Sequence, residues 1–236
     1  MTPRTMTRMR RLATTAVALS LLVSLAGCDP RTIFYFLQPF EPTIPAPGPS
    51  LKGKKVVVLT AADDATLGRF PGLERDLARQ FIGNLKKNKK ITTVDNERVG
   101  DWIQGHPKWS DPSEAARDFE ADVVIVLEIE MFQTRHPGSL NVLEGSAKVH
   151  IQAFELAHPK NSKGKPITDQ PKESESIYDD YQETTFPIRG PIPMDSGVGE
   201  STFKNKLLQV VADECSWHFI EHSQGDVIQD VRFNGR

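Results

Sequence analysis

Three side chains near the end of the 236-residue sequence combine a thiol with two imidazoles. Cys215, His218 and His222 recur at i, i+3 and i+7, a spacing that places them on one face of a predicted helix. A thiolate and two imidazoles at that spacing can share Zn²⁺ or form the centre of a hydrolytic enzyme. The alternative is structural, because Cys215 also continues an apolar stripe that begins at Phe203. No fourth ligand is evident, and we expect no metal, no cofactor and no enzyme.

Two pairs of carboxylates are the other candidates for chemistry. Asp63 and Asp64 follow the first predicted strand, and open α/β sheets bind ligands beyond the carboxyl ends of their strands. A small-ligand sensor at this strand-end loop is one hypothesis, and a capping or turn role is the alternative. Glu128 and Glu130 share one face of a strand, as paired catalytic carboxylates would. Exposed alternation explains these two more simply, so we predict no catalysis there.

The amino-terminal segment indicates where the protein works. Residues 1–11 carry four Arg and no acid, and an apolar run over residues 12–26 follows, which is shorter than the roughly 20 residues that a membrane-spanning helix needs. This pattern is typical of a signal peptide. The string LAGC at residues 25–28 resembles a bacterial lipobox. That resemblance implies cleavage before Cys28, a diacylglycerol on its thiol, and a further acyl chain such as palmitate on the new amino terminus.

Composition excludes several classes of protein. Only two Cys and 17 Pro argue against a disulfide-rich mini-domain, a coiled coil and a collagen-like fibre. Removal of residues 1–27 with their four Arg leaves 209 residues with 25 basic and 31 acidic side chains. The resulting negative charge disfavours nucleic acid as a partner, because binding a polyanion requires a clustered basic surface.

The densest basic run covers residues 86–90, with the sequence KKNKK. It lies at the predicted end of a helix, where cations stabilise the helix dipole. We therefore interpret the run as a solvated helix end, and contact with anionic lipid or a polymer is the alternative.

Pattern and composition divide the chain into four segments. Six Pro between residues 29 and 53 prevent both helix and sheet there and predict an extended tether. We favour the lipid interface for the aromatic patch at residues 33–37, and packing on the folded domain is the alternative. We expect the following segments: a lipoprotein signal peptide at 1–27, the lipidated cysteine and tether at 28–53, a globular domain at 54–223 and a flexible tail at 224–236.

Hydrophobic periodicity predicts an α/β domain. The apolar run at residues 56–59 is typical of a strand buried on both faces with parallel neighbours. Apolar residues every fourth position over residues 72–88, and again over 200–222, predict amphipathic helices. We predict a single α/β sandwich with a mixed sheet, in the order β-α-β-α-β-β-(β)-α. The segments are strands near 56–59, 91–94, 123–131, 146–153 and, weakly, 177–186, a short helix near 99–103, and helices from 72, 111 and 200.

This arrangement resembles a known group of envelope proteins. The strings KKVVVL from residue 54, ITTVD from residue 91 and FEADVVIVLEIE from residue 119 look like the periplasmic domain of curli-secretion (CsgG-like) lipoproteins. The TolB amino-terminal domain and the peptidoglycan-synthase activator lipoproteins share that general fold. The resemblance covers residues 54–135 and the last helix, and it implies an envelope assembly or regulatory module without catalytic residues.

The sequence thus predicts a membrane-anchored lipoprotein of the cell envelope that faces the periplasm or the cell exterior. We expect the membrane to be one partner, through the lipid on Cys28. We expect another envelope protein to be the second partner, bound through the edge of the sheet or through residues 157–200. A metal-dependent or hydrolytic enzyme at Cys215, His218 and His222, and a sensor at Asp63 and Asp64, remain alternatives.

Overall fold

The computed structural model describes residues 42–225, apart from positions 108, 137, 140, 159–172 and 189. The predicted signal peptide, the lipidation site Cys28, the aromatic patch at 33–37 and most of the predicted tail lie outside the described residues. All of the helices and strands below belong to the unit that begins at Thr43.

Eight strands and five α-helices make up the described part of the chain. The strands are β1 (Thr43–Ile44), β2 (Lys55–Ala62), β3 (Thr92–Thr93), β4 (Val123–Arg135), β5 (Val142–Ala157), β6 (Glu173–Phe186), β7 (Ile192–Pro193) and β8 (His222–Ser223). The helices are α1 (Asp64–Arg69), α2 (Leu73–Lys87), α3 (Asn96–Gly105), α4 (Pro112–Asp118) and α5 (Glu200–Trp217), and Met194–Ser196 forms a single 3₁₀ turn.

Six of these strands form one mixed sheet, which confirms the predicted mixed α/β class. Its order is β3-β2-β4-β5-β6, and β7 pairs with the start of β5. The strand β2 has parallel neighbours on both sides, as its continuous apolar run predicted. The long strands β4, β5 and β6 then pair antiparallel to one another. The separate pair β1 and β8 joins the two ends of the described chain.

Helices cover the sheet unequally. On one face α2 and α5 pack on β2, β4 and β5, and this core includes Leu73, Leu77, Phe81, Leu85, Phe203, Leu207, Val211 and Cys215. On the other face α3 and α4 pack on β2, the first half of β4 and the end of β5, through Val99, Trp102, Ala115 and Ala116. The rest of that second face, along β4, β5 and β6, carries polar side chains.

The order of elements differs from the prediction because α1 precedes α2 and because the two-residue strands β1, β7 and β8 were not expected. The short helix predicted near 99–103 is α3, which spans Asn96–Gly105. The expected loop at residues 61–70 contains α1, which begins because the carboxylate of Asp63 accepts a hydrogen bond from the backbone N–H of Thr66. No residue of α1 is buried, so the sequence has no apolar period there. The aspartates Asp95 and Asp111 cap α3 and α4 in the same way.

The predicted last helix is too long by one turn. The helix α5 ends at Trp217, and His218 is its carboxyl cap. The chain then turns so that Phe219 packs in the core and His222 enters strand β8, opposite Ile44. The predicted weak strand at 177–186 begins earlier, at Glu173, because the added residues pair with β5 without burying apolar side chains.

Candidate functional site

Strand β6 forms one edge of the sheet. This strand has 14 residues and pairs with β5 along one side. Within the described ranges no strand pairs with its other side, which we call the β6 edge. The strand contains five acidic residues and no Lys or Arg, namely Glu173, Glu175, Asp179, Asp180 and Glu183. A long edge with unpaired N–H and C=O groups is a template for another strand, and acidic side chains decide which strand fits.

A chain of hydrogen bonds fastens β6 to the end of α5. We call it the β6–α5 network; its members are Tyr178, Gln182, Thr184, Glu214 and His218. The amide nitrogen of Gln182 donates to Glu214 Oε2 at 3.0 Å, and the hydroxyl of Thr184 donates to the same oxygen. The amide oxygen of Gln182 therefore accepts from His218 Nε2 at 3.0 Å. That assignment leaves His218 Nδ1 to accept from the Tyr178 hydroxyl at 2.7 Å, and Asp180 Oδ2, 3.2 Å from the same hydroxyl, is a second acceptor for its single proton.

Burial shifts the pKa values of Glu214, His218 and Tyr178 toward their uncharged forms. Removal from water raises the pKa of Glu214, although the hydrogen bonds from Thr184 and Gln182 oppose the rise. It lowers the pKa of His218 against the opposing charge of Asp180. It also raises the pKa of Tyr178 to about 12, together with the charge and hydrogen bond of Asp180. The network thus holds a neutral imidazole and a neutral phenol that pin the sheet edge to the helix.

A second polar surface lies on the face of β4, β5 and β6 that α3 and α4 leave open. The rings of His150 and Tyr181 stack with centroids 4.4 Å apart, and Lys148 Nζ lies 4.4 Å from the Tyr181 centroid. Lys148 also pairs with Glu130 at 2.8 Å, and His150 Nε2 contacts Asp179 Oδ1 at 2.7 Å. The side chain of Tyr181 remains 46% exposed, so this surface presents an aromatic ring among alternating charges.

The structure places the two glutamates of β4 on this open surface. Glu128 and Glu130 are exposed, and each lies opposite a basic residue of β5. Glu130 pairs with Lys148, and Glu128 Oε2 lies 3.8 Å from His150 Nδ1. Both residues are the exposed members of a strand in which buried and exposed side chains alternate, and their cross-strand contacts with basic residues account for them without a catalytic role.

The structure does not bring Cys215, His218 and His222 together on one helix face. The thiol of Cys215 is fully buried in the core, and this burial, with Glu214 nearby, raises its pKa. His218 belongs to the β6–α5 network, and His222 stacks on Trp217 with ring centroids 4.3 Å apart. The predicted shared face is wrong because α5 ends at Trp217. No group of three or more His, Cys, Asp and Glu in the described part of the chain is arranged to hold a metal ion.

The aspartates after β2 serve the start of α1. Asp63 accepts from the Thr66 backbone N–H at 2.7 Å, and hydrogen bonds from Thr66 lower the pKa of its carboxyl. Asp64 stands exposed in the first turn of α1, where a negative charge favours the helix dipole. Asp63 therefore has the helix-capping role that the sequence analysis gave as the alternative to a ligand site.

A crevice of about 400 Å³ does lie beyond β2 and β3, where sequence reasoning expected ligand groups. Neither Asp63 nor Asp64 lines it. Its polar lining includes Thr60, Glu74, Arg75 and Asn96. Burial raises the pKa of Glu74 against a backbone hydrogen bond from Ala62. Glu74 and Arg75 lie in the first turn of α2, directly after Gly72, whereas Thr60 on β2 and Asn96 on α3 carry no local signal that relates them to this crevice.

No protein-family model matches the chain. The curated proteins contain no match to it either. Several solved structures are similar at low scores. A PelC dodecamer from Paraburkholderia phytofirmans is 14% identical, with a TM-score of 0.40 over 76% of this chain and 99% of that chain.

The hypothetical protein CT253 from Chlamydia trachomatis is 16% identical, with a TM-score of 0.36 over 56% of this chain and 70% of that one. Lipoprotein GNA1162 from Neisseria meningitidis is 11% identical, with a TM-score of 0.31 over 67% and 94%. At these scores the three structures carry no argument about what this chain binds. None of the helices between residues 42 and 225 that the structure describes is long and apolar enough to cross a bilayer.

Proposed function

We propose that the chain is a lipid-anchored envelope protein without enzymatic activity that binds another envelope protein through the β6 edge. It would act as an assembly or regulatory module of the kind that the CsgG-like resemblance implies. The observation that carries this proposal is the β6 edge itself. Fourteen residues of strand lie open on one side, and among the described strands none covers them.

The chemistry of the edge defines the partner. Unpaired backbone groups favour the addition of an extended segment, with main-chain hydrogen bonds for affinity and side-chain contacts for specificity. Two copies of β6 would place acidic residues opposite each other, which is unfavourable. A strand or loop with basic side chains would instead pair with Glu173, Glu175 and their acidic neighbours. The proposed occupant is therefore a basic segment of a different envelope protein.

The β6–α5 network supports this role because it keeps the edge rigid. Tyr178 and Gln182 on β6 are bound to His218 and Glu214 on α5. A preorganised strand loses less conformational entropy on binding than a mobile one. The edge can therefore serve as a docking element without first becoming ordered.

The lipid anchor at Cys28 would restrict the search to proteins of the same membrane. The proposed anchor is supported by the sequence, in which an Arg-rich start is followed by a short apolar run and then by the string LAGC. Mass spectrometry of the purified protein tests it directly, since an acylated peptide must begin at Cys28. The two alternatives are tested on the same sample. Zinc below equimolar level would exclude the enzyme at Cys215, His218 and His222, and a thermal-shift screen tests a sensor at Asp63 and Asp64.

Crosslinking in native membranes tests the docking site. The full chain is compared with Glu173→Lys/Glu175→Lys, which reverses two exposed charges of the β6 edge. The matched control is Glu97→Lys/Asp101→Lys, which reverses two exposed charges on α3. We expect the β6 variant to lower the yield of a specific crosslinked partner by about tenfold, since two ion pairs become two repulsions.

The control variant should retain the parental yield, and Cys28→Ala should lose the partner if the anchor brings the two proteins together. Equal yields from the β6 variant and the α3 variant would refute docking at the β6 edge. A specific partner captured equally with and without Cys28 would refute the role of the anchor while leaving the edge intact.

A further inference from the structure

A cleft of about 460 Å³ between α2, α5 and the start of the described chain is lined by basic side chains. We call it the lysine cleft. Lys87 and Lys90 from the end of α2 and Lys52 from the segment before β2 contribute its ammonium groups, and Trp217 contributes an aromatic ring. The backbone N–H of Gly53 donates to the carbonyl of Lys90 at 2.6 Å, which holds the two lysine-bearing segments side by side.

The lining carries three Lys against two acids, and two of these lysines have no ion-pair partner among the described residues. Lys87, Lys89 and Lys90 are exposed and form no ion pair with any described residue. Two acids also line the cleft, but Asp213 accepts a hydrogen bond from Asn84 at 2.8 Å and Glu221 pairs with Lys52 at 3.4 Å. Stabilisation of the helix dipole accounts for Lys87 in the last turn of α2. It does not account for Lys90, which lies beyond the helix end, whereas the ion pair with Glu221 accounts for Lys52 on its separate segment.

The cleft lies where the chain enters the domain from its amino-terminal side. Strand β1 at Thr43 pairs with β8, whose His222 lines the cleft, and the backbone N–H of Gly48 donates to the carbonyl of His218 at 2.8 Å. Fourteen residues lie between Cys28 and Thr43, so even a fully extended chain would keep Thr43 within about 50 Å of Cys28. The chain that leads to Cys28 therefore joins the domain at the same end as the lysine cleft.

We infer that the lysine cleft binds the phosphate groups of anionic lipids in the membrane that holds the anchor. This inference rests on the proposed lipid anchor, which fixes the membrane as the nearest large anionic surface. Each basic side chain near an anionic leaflet raises membrane affinity by about fivefold. Trp217 fits the same location, because tryptophan is enriched where a bilayer meets water. The contact would orient the domain with its α2–α5 end against the headgroups.

Vesicle flotation with the full chain tests the cleft independently of acylation. All variants carry Cys28→Ala, so no acyl chain contributes to binding and the amino-terminal residues are common to every sample. Vesicles of phosphatidylcholine alone are compared with vesicles that contain phosphatidylglycerol. The test variant is Lys87→Gln/Lys90→Gln. The matched control is Lys204→Gln/Lys206→Gln, near the amino-terminal end of α5, whereas the cleft lies at its carboxyl end.

We expect Lys87→Gln/Lys90→Gln to lower partitioning onto the anionic vesicles by about 30-fold, and the control pair to change it less than twofold. The difference should vanish in 1 M salt, where screening acts over about 3 Å. The test pair should melt at the parental temperature, because Lys87 and Lys90 are exposed. The control pair should melt close to it, because Lys204 and Lys206 are half-buried and form no ion pair with a described residue.

Two results would overturn the inference. One is equal partitioning of the test and control pairs onto anionic vesicles. The other is a lysine-dependent rise in Tm with inorganic phosphate but no lysine-dependent vesicle binding, which would assign the cleft to free phosphate. Whether Cys28 is acylated is measured separately, by mass spectrometry of the protein without substitutions. A chain without acylation that still floats through Lys87 and Lys90 would retain the cleft and lose only the anchor.

Discussion

The substitution Tyr178→Phe isolates the hydroxyl that links β6 to α5. The ring would stay, so its edge-to-face packing on Phe219, with centroids 5.4 Å apart, would be kept. The hydrogen bond to His218 Nδ1 at 2.7 Å would be lost, and His218 is only 8% exposed. A buried nitrogen left without its partner costs about 1–3 kcal/mol. In a domain of this size each kcal/mol changes Tm by about 2–4 °C, so about 2 kcal/mol lowers Tm by about 4–8 °C.

The same strand supplies the matched control, Tyr181→Phe. Tyr181 is 46% exposed, its ring stacks on His150, and its hydroxyl has no hydrogen-bond partner among the residues that the structure describes. Removing that hydroxyl should change the free energy of unfolding by less than about 0.5 kcal/mol. Calorimetry at pH 7.5 measures both variants. If Tyr178→Phe lowers Tm no more than Tyr181→Phe, the β6–α5 network does not stabilise the edge.

Three further predictions follow from buried groups. Burial lowers the pKa of His218 in the folded chain below its ordinary value of 6.5. Between the folded and the unfolded pKa the unfolded chain binds more protons than the folded chain, so the free energy of unfolding decreases as pH falls. Melting at pH 7.5 and 5.5 should therefore show a smaller loss of Tm for His218→Gln than for the parent, and equal losses would contradict the assignment. In a Cys28→Ala background, Cys215 should react with iodoacetamide only when the domain unfolds, because its thiol is buried and its pKa is raised; rapid labelling of the native protein would disprove this. The variant Gly145→Ala should have a free energy of unfolding about 1–3 kcal/mol lower than the parent, because its added Cβ would lie 2.7 Å from Leu207 Cδ2. The control Ser146→Ala, on the opposite face of the sheet, should melt at the parental temperature.

The central strand β2 and the helix α2 were predictable because their buried residues form apolar patterns over short stretches of sequence. Val56 to Leu59 form a continuous apolar run, and all four are buried in β2 between parallel neighbours. The fourfold spacing of Leu73, Leu77, Phe81 and Leu85 predicted the buried stripe of α2. Wherever burial alone decides the structure, the pattern of apolar residues contains most of the information.

Elements that bury little were missed or misplaced for the same reason. The helix α1 buries no residue, and its only strong signal in the sequence is the capping residue Asp63. The polar sequence of β6 shows no alternation before residue 177, yet pairing with β5 extends it to Glu173. Backbone pairing stabilises such an edge strand, and side-chain patterns do not reveal it.

The candidate sites were the least predictable part, because their members are distant in sequence. Tyr178 and His218 are 40 residues apart, and no local spacing relates them. The spacing of Cys215, His218 and His222 suggested a shared helix face, but the turn after Trp217 separates them. Lys52 reaches the lysine cleft through the contact between Gly53 and Lys90, which only the folded chain contains.

The two proposed surfaces are compatible with one orientation on the membrane. The register from Val123 through Glu155 to Glu175 places the start of β6 at the same end of the sheet as the start of β4. Lys54 pairs with Glu155 at 2.8 Å, so the lysine-bearing segment before β2 lies at that end too. With the lysine cleft against the headgroups, β6 would run outward for about 45 Å from the membrane side. Its open edge would then face sideways, toward proteins held in the same membrane. The acidic residues at the start of β6 would oppose deeper contact with an anionic surface, which limits the membrane contact to the α2–α5 end and leaves the β6 edge free for a partner.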